Sequence, residues 1–259
     1  MSSFSLIYSN IDIFLLILAR ISSFVLVSPI FGRKGIPNTT KIGLSLILGI
    51  SIILNMPQIP QISNLNSGLY IALLAKEALI GMSVSFLSFM FFSVFYAAGQ
   101  LADMNMGFNV GGLYDAQMQM QVPLTGNLFY TIGLFVFLST KGATKLIFLL
   151  YSMFDTIPIQ GTEVSGIFYE IFINSFSFTY AYAVKIILPL LLLTLITQFV
   201  LGVIIKFVPQ MNVFVIGIPV KIAVSMILLI FLVAPLFELL DQYFEFMFER
   251  MLLLIRSFV

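Results

Sequence analysis

Long apolar blocks separated by short polar intervals dominate this 259-residue chain. A helix needs about 20 apolar residues to cross a hydrocarbon core about 30 Å thick, so blocks of this length predict membrane-type helices. The blocks cover residues 11–31, 42–56, 69–98, 128–154, 164–205 and 213–240. We therefore expect an all-α integral membrane-type protein, in which about six hydrophobic blocks form six to eight helices arranged as helical hairpins.

Several block lengths do not match a single straight span. Block 42–56 is short, whereas block 164–205 would reach about 60 Å at 1.5 Å per residue, so Pro189 is expected to bend or divide it. Block 128–154 is interrupted by the polar run STKGATK, in which Gly142 lies between two lysines. Two half-helices meeting at a tip explain this pattern better than one span. Some of the helices are therefore expected to be broken or re-entrant.

The composition supports a membrane protein and excludes several other classes. Hydrophobic residues make up 60% of the chain and charged residues 9%, against about 45–50% and about 25% in an ordinary soluble domain. No linker-like segment divides the sequence, so we predict one domain over residues 1–259. The net charge is +1 and the basic residues are dispersed, which predicts no nucleic-acid-binding surface.

The chain has no cysteine and no histidine. Disulfides, thiolate or histidine catalysis and almost every transition-metal site are excluded by this absence. Tyr114 and Asp115 match half of the intramembrane aspartyl protease pattern, but the G-x-G-D partner is missing and Asp103 is the only nearby carboxylate. We expect no catalytic residues, no metal site and no cofactor.

The longest polar interval, residues 101–127, contains large apolar side chains among turn-forming residues. Its apolar residues are Met104, Met106, Phe108, Met118 and Met120, and its glycines include Gly107, Gly111 and Gly112. Methionine is unbranched and deformable, and glycine supplies backbone freedom for hinges. This interval is therefore the first candidate for a functional segment.

Charged residues inside the apolar blocks form the second candidate group. They are Arg20, Lys76, Glu77, Lys185 and Lys221. Each is costly in hydrocarbon unless it is paired or faces water, so the group either lines a pathway or forms ion pairs and interfacial contacts. We predict that Glu77 is buried and paired, with Lys221 or Arg20 as its partner in this chain and a neighbouring subunit as the alternative.

Two further patterns are read from helical spacing. Small residues recur at Gly81, Ser85 and Ser88, a spacing that lets two helices approach closely. Near the end of the chain, an acidic stripe recurs at spacings of three and four residues, at Glu238, Asp241, Glu245 and Glu249. The stripe is either a solvated helix face or a docking surface for a basic partner.

Five segments together resemble the flagellar biosynthetic protein FliR family, the R subunit of the type III export gate, over nearly the whole chain. They are SPIFGRKGIP (28–37), KEALIGMSVSF (76–86), AGQLADMNMGFN (98–109), LYDAQMQMQVP (113–123) and PQMNVFVIGIPVKI (209–222). The last of these segments is the most specific. The form VFVIGIPVKI favours the flagellar branch over virulence injectisomes.

The resemblance implies that the chain joins P and Q subunits in a helical, cone-like assembly that forms the entry pore for unfolded flagellar proteins. It also implies the B subunit of the export switch and the A subunit as partners, and a place in the inner membrane at the flagellar basal body. The family's plug loop matches residues 104–121, so this interval becomes a central polar plug loop, in which Met106, Phe108, Met118 and Met120 are expected to face the pore axis in the closed state. Its alternative is an ordinary re-entrant loop packed against other subunits.

The alternative function is a secondary transporter or permease with broken helices and a small-molecule site near Lys76, Glu77 and the tip of block 128–154. A permease is expected to purify alone or as a symmetric oligomer. A gate subunit is expected to purify with several copies of other small hydrophobic proteins.

Overall fold

A computed structural model describes residues 10–56, 66–108, 123–159, 165–208 and 213–258. Over these ranges the chain forms α-helices and no strand. The helices are α1 (Ile11–Val27), α2 (Asn38–Asn55), α3 (Ser67–Met106), α4 (Leu124–Ser139), α5 (Gly142–Thr156), α6 (Ile167–Phe207) and α7 (Val213–Arg256). The prediction of an all-α fold of six to eight helices is confirmed.

The chain forms two compact units. Unit 1 comprises residues 1–91, 141–175 and 246–259, and unit 2 comprises residues 92–140 and 176–245. The long helices α3, α6 and α7 therefore contribute residues to both units. The single domain expected over residues 1–259 stays a prediction.

The hairpin of α1 and α2 shows how local sequence sets a helix boundary. At the end of α1 the backbone N–H of Ser28 donates to the carbonyl of Phe24 at 3.0 Å. Pro37 stands just before α2, where its fixed φ suits a helix start and its missing N–H costs nothing. The polar loop between these points turns the chain back and lets α2 pack on α1.

The break predicted in block 128–154 is confirmed, although the residue that makes it differs. Lys141 adopts a left-handed conformation with φ 58°, and Gly142 is the first residue of α5. Of the bend or division expected at Pro189, the division is wrong, because α6 runs through this proline as one helix of 41 residues. The bend stays a prediction. A proline removes one backbone hydrogen bond, and the helix on either side keeps the rest.

Within the part of the chain that the structure describes, four helices are long and apolar enough to cross a membrane: α2, α3, α6 and α7. The bent pair of α4 and α5 raises this number to five if it forms one span. In its most apolar window α3 is 61% buried, whereas α6 and α7 are 22% and 17% buried. Helix α3 thus supplies core residues, and α6 and α7 expose large apolar side chains as membrane-type helices do.

An aromatic cluster fills the centre of unit 2. The ring centroids of Phe92 and Phe137 lie 5.3 Å apart, and those of Phe137 and Phe244 lie 5.0 Å apart, both edge to face. Phe95 and Tyr130 also meet edge to face, at 6.3 Å. Such pairs add to the free energy gained from burying the rings alone. This cluster packs α3 against α4 and α7 within unit 2.

Candidate functional site

A buried ion pair joins α1 to α3 inside unit 1. The Nε of Arg20 lies 2.5 Å from Oε2 of Glu77, and the two side chains are 0% and 1% exposed. The pair therefore has no access to solvent, so its Coulomb attraction acts in a medium of low dielectric constant. The third predicted member, Lys221, belongs to unit 2.

Arg20 also holds the end of α5. Its Nη1 donates to the carbonyl oxygens of Met153 at 3.0 Å and Ile157 at 3.1 Å. Carbonyls at the end of a helix are short of donors, and a cation there also suits the helix dipole. The carbonyl of Met153 accepts from the backbone N–H of Ile157 at 3.0 Å as well. The guanidinium carbon lies 4.6 Å from the ring centroid of Phe154, which adds a cation–π contact. One arginine thus ties together three helices.

The neighbouring face of α3 is built for close contact with α1. A Cβ at Gly81 would lie 2.1 Å from the carbonyl oxygen of Arg20, so only glycine fits there. One turn further, the hydroxyl of Ser85 donates to the carbonyl of Phe24 at 2.7 Å. Glu77, Gly81 and Ser85 are spaced by four residues and share one helix face. The small-residue pattern is therefore confirmed as a helix packing surface at Gly81 and Ser85.

The two ends of the polar interval meet in unit 2 through Asp103 on α3 and Thr125 on α4. Oδ1 of Asp103 accepts from the backbone N–H of Thr125 at 3.2 Å and from its hydroxyl. Helix α4 follows Pro123, which makes no side-chain cap. A carboxylate from α3 therefore satisfies an N–H group that the first turn of α4 leaves unpaired. We call Asp103, Thr125, Gly99 and Gly126 the loop base.

The helices cross at glycines within the loop base. A Cβ at Gly99 would lie 2.0 Å from the Cα of Gly126, so the two backbones touch. Sequence reasoning missed Thr125, Gly99 and Gly126. One signal was available, since a helix that starts after proline without a Ser, Thr, Asp or Asn cap needs a distant partner for its first N–H groups.

In the described part of the predicted plug loop, the two methionines differ in exposure. Met104 is 60% exposed, whereas Met106 is fully buried, with its sulfur 4.0 Å from the hydroxyl of Thr125. Gly107 follows the last residue of α3 with φ 91°, and Phe108 is half-buried. The other predicted loop residues lie outside the described residues; they are Gly111, Gly112, Met118 and Met120. In this arrangement Met104 faces outward and Met106 faces the interior of unit 2.

The remaining charges of the apolar blocks lie in separate places. Lys221 lines a cavity of about 220 Å³ between α6 and α7, together with Gln198 and other residues. The ammonium of Lys185 lies 4.9 Å from the ring centroid of Tyr182. Lys76 is half-buried on α3 next to Glu77. The described residues therefore bring together Arg20 and Glu77 and do not form one continuous charged pathway.

The acidic stripe lies on the surface of α7. All four carboxylates are exposed and none has an ion-pair partner among the described residues; they are Glu238, Asp241, Glu245 and Glu249. The opposite face of the same helix buries Tyr243, Phe244 and Met247. The stripe is thus a free anionic surface on a helix whose other side is fixed in the core.

We propose that the stripe docks a basic partner, so reversing Asp241 and Glu245 to lysine is expected to weaken this docking, because like charges then face each other. Because the sequence resembles a flagellar export family, the measurement is motility and the amount of exported protein in cells that carry the variant. Gln242→Lys is the control, since it adds a cation to an exposed position of the same helix without removing a carboxylate. Unchanged export in the double variant would show that the stripe is only a solvated face.

A family model described as "Bacterial export proteins, family 1" matches residues 11–247. The flagellar biosynthetic protein FliR of Bacillus subtilis is 30% identical over 244 residues, which cover 92% of each chain. FliR of Escherichia coli is 25% identical over 244 residues, covering 93% of this chain and 90% of the relative. The Yop proteins translocation protein T of Yersinia pestis is 28% identical over 160 residues, or 61% of each chain.

Proposed function

The chain belongs to the FliR family of bacterial export proteins, and from that membership we propose that it is a subunit of the type III protein export gate of the flagellum. The observation that carries this proposal is similarity along almost the whole chain, since the match to the Bacillus relative covers 92% of both proteins. The flagellar relatives are matched over more of their length than the Yersinia translocation protein, which favours the flagellar branch.

The proposed partners are the P and Q subunits, with which the chain would build the entry pore, and the B subunit of the export switch and the A subunit. Exposed apolar helices support an assembly of this kind. Along α6, Phe199 is 74% exposed and Phe207 is 79% exposed, so this surface needs lipid or another apolar protein to cover it. We place the assembly in the inner membrane, at the flagellar basal body.

Gentle detergent extraction of a tagged chain is expected to recover several copies of other small hydrophobic proteins, with unequal stoichiometry. Mass spectrometry of the intact complex identifies these proteins and counts them. The alternative, a permease with a small-molecule site near Lys76 and Glu77, predicts the chain alone or a symmetric oligomer. Recovery of only this chain from membranes that contain an assembled export apparatus would contradict the gate proposal.

We also propose that the interval from Met104 to residue 121 plugs the pore when no substrate is engaged. The loop base supports this role, because Asp103 and Thr125 hold the two ends of the interval together. An apolar constriction blocks ions by dewetting, and methionine can repack when a polypeptide passes. Of the described residues, Met104 has the exposure that such a role needs, and Met106 helps to anchor the loop base.

Replacing Met118 and Met120 with alanine, or deleting residues 110–120, is expected to let ions leak through the idle gate while export continues. The reason is that the barrier is damaged and the conduit is not. Conductance of membranes that contain the assembled complex measures the leak. Gln117→Ala with Gln119→Ala is the matched control in the same segment. A deletion that assembles fully and leaks no more than the unaltered chain would show that these methionines only pack.

A further inference from the structure

A groove between α1 and α2 in unit 1 has a polar end and an apolar end. Its cavity has a volume of about 470 Å³. Asn38 and Lys41 line it where α2 begins, and aliphatic side chains line the remainder; they are Leu18, Leu26, Ile42 and Leu46. Leu26, Ile42 and Leu46 are each at least 40% exposed, so the groove is open on the outer surface. One of its walls is α2, a helix long and apolar enough to cross a membrane. Its shape and polarity suit an amphiphile.

The polar end carries a buried positive charge. Lys41 is 8% exposed, and its ammonium donates to the carbonyl of Gly32 at 2.9 Å. An ammonium has three N–H groups, and no carboxylate lies within ion-pair distance of this one among the described residues. A buried cation without an anion is costly, so an anionic ligand would be favoured beside it.

The charged residues nearest to Lys41 along the chain are basic. Between Asp12 and Glu77 the sequence contains no acidic residue. Arg33 and Lys34 lie in the exposed loop that leads into α2, and the first turn of α2 adds the positive end of a helix dipole. The hydroxyls of Ser22 and Ser45 are already used, because they donate to the carbonyls of Ala19 and Lys41. Recognition at this end is therefore by charge.

We propose that this groove binds an anionic phospholipid, with its phosphate at Lys41 and an acyl chain along Leu18, Leu26, Ile42 and Leu46. An acyl chain suits the apolar end because it brings no backbone N–H or C=O that the aliphatic walls would leave unpaired. A phosphate suits the polar end because basic residues at a membrane surface attract anionic lipid. The site is separate from the loop base and does not depend on the proposed role in export.

The chain has no tryptophan, so one introduced tryptophan reports on the groove. Ile50→Trp places it one helical turn after Leu46, at a position that is 37% exposed. The full chain, in its co-purified assembly, is reconstituted with phosphatidylglycerol or phosphatidylcholine whose acyl chains are brominated and quench tryptophan. At equal mole fraction, phosphatidylglycerol is expected to quench about threefold more strongly, since the two lipids differ in headgroup charge. Ile230→Trp, at a position 72% exposed on α7, is the control and should show no preference.

Three variants test the charge of Lys41 and the apolar part of the groove separately. Lys41→Gln should abolish the preference for phosphatidylglycerol, and Lys41→Arg should keep it, because only the second retains a cation. Leu46→Phe leaves Lys41 intact and partly fills the groove, so it should reduce quenching by both lipids; this variant keeps the test valid if Lys41→Gln fails to fold. Equal quenching by the two lipids at Ile50→Trp would overturn the proposal. An introduced tryptophan that neither lipid quenches would also overturn the proposal, because a neighbouring protein would then occupy the groove.

Discussion

Arg20→Ala is expected to destabilise the folded chain by about 3–5 kcal/mol, because it leaves the carboxylate of Glu77 buried without a partner. The same change removes the hydrogen bonds from Arg20 to the carbonyls of Met153 and Ile157, so the end of α5 loses two side-chain contacts as well. The expected result is a large drop in the thermal unfolding midpoint of the purified chain and a low level of protein in membranes. Arg256→Ala is the control, since Arg256 is exposed and a surface change costs within about 0.5 kcal/mol.

Variants of Glu77 separate the ion pair from the other contacts of Arg20. Glu77→Ala should cost nearly as much as Arg20→Ala, and it should impair assembly rather than gating, because a buried guanidinium loses its counter-charge. Replacing both residues with apolar ones, Arg20→Met with Glu77→Leu, should recover much of the loss, since neither charge then remains buried. The recovery should be incomplete, because the double variant still lacks the hydrogen bonds from Arg20 to the carbonyls of Met153 and Ile157. An Arg20→Ala chain that unfolds at the wild-type temperature would contradict this account.

Gly99→Ala is expected to have the second largest effect, since its Cβ would lie 2.0 Å from the Cα of Gly126. Neither atom belongs to a flexible side chain, so the two helices must separate. Overpacking of this kind costs about 1–3 kcal/mol and sometimes more. Asp103 lies one turn after Gly99 on α3, so the separation should also weaken its contact with Thr125. The measurements are the unfolding midpoint and the idle conductance of the assembled complex.

Gly68→Ala is the matched control for Gly99→Ala. It lies in the same helix, and a Cβ there would meet nothing within 4 Å. Alanine favours a helix over glycine by up to about 1 kcal/mol, so this variant should be neutral or slightly stabilising. If both variants unfold at the same temperature, the close approach at Gly99 does not contribute to stability.

The loop base shows why part of the site was not accessible to sequence reasoning. Gly99 and Asp103 lie in a segment that resembles the FliR family, but their contacts with Gly126 and Thr125 join positions more than 20 residues apart. No periodicity within one helix encodes such a contact. The short distance between Gly99 and Gly126 became evident only when both helices were placed.

The sequence by itself determined the class of the fold. Block length predicted membrane-type helices, the polar run around Gly142 predicted the break between α4 and α5, and the spacing of Gly81 and Ser85 predicted a packing surface. Each of these follows from hydropathy or from the helical repeat, which are properties of neighbouring residues. The continuity of α6 through Pro189 did not follow from the sequence. Proline removes only one backbone hydrogen bond, and the helix on either side keeps the rest.

Only the tertiary structure decided which charges meet and which methionines are exposed. Glu77 had two possible partners in the chain, and Arg20, 57 positions away, is the one that lies against it. Met104 and Met106 are two residues apart and look alike in sequence, yet one is 60% exposed and the other fully buried. The physical reason is the same in both cases. A helix presents its residues at 100° intervals, and its neighbours in space determine which of them are buried.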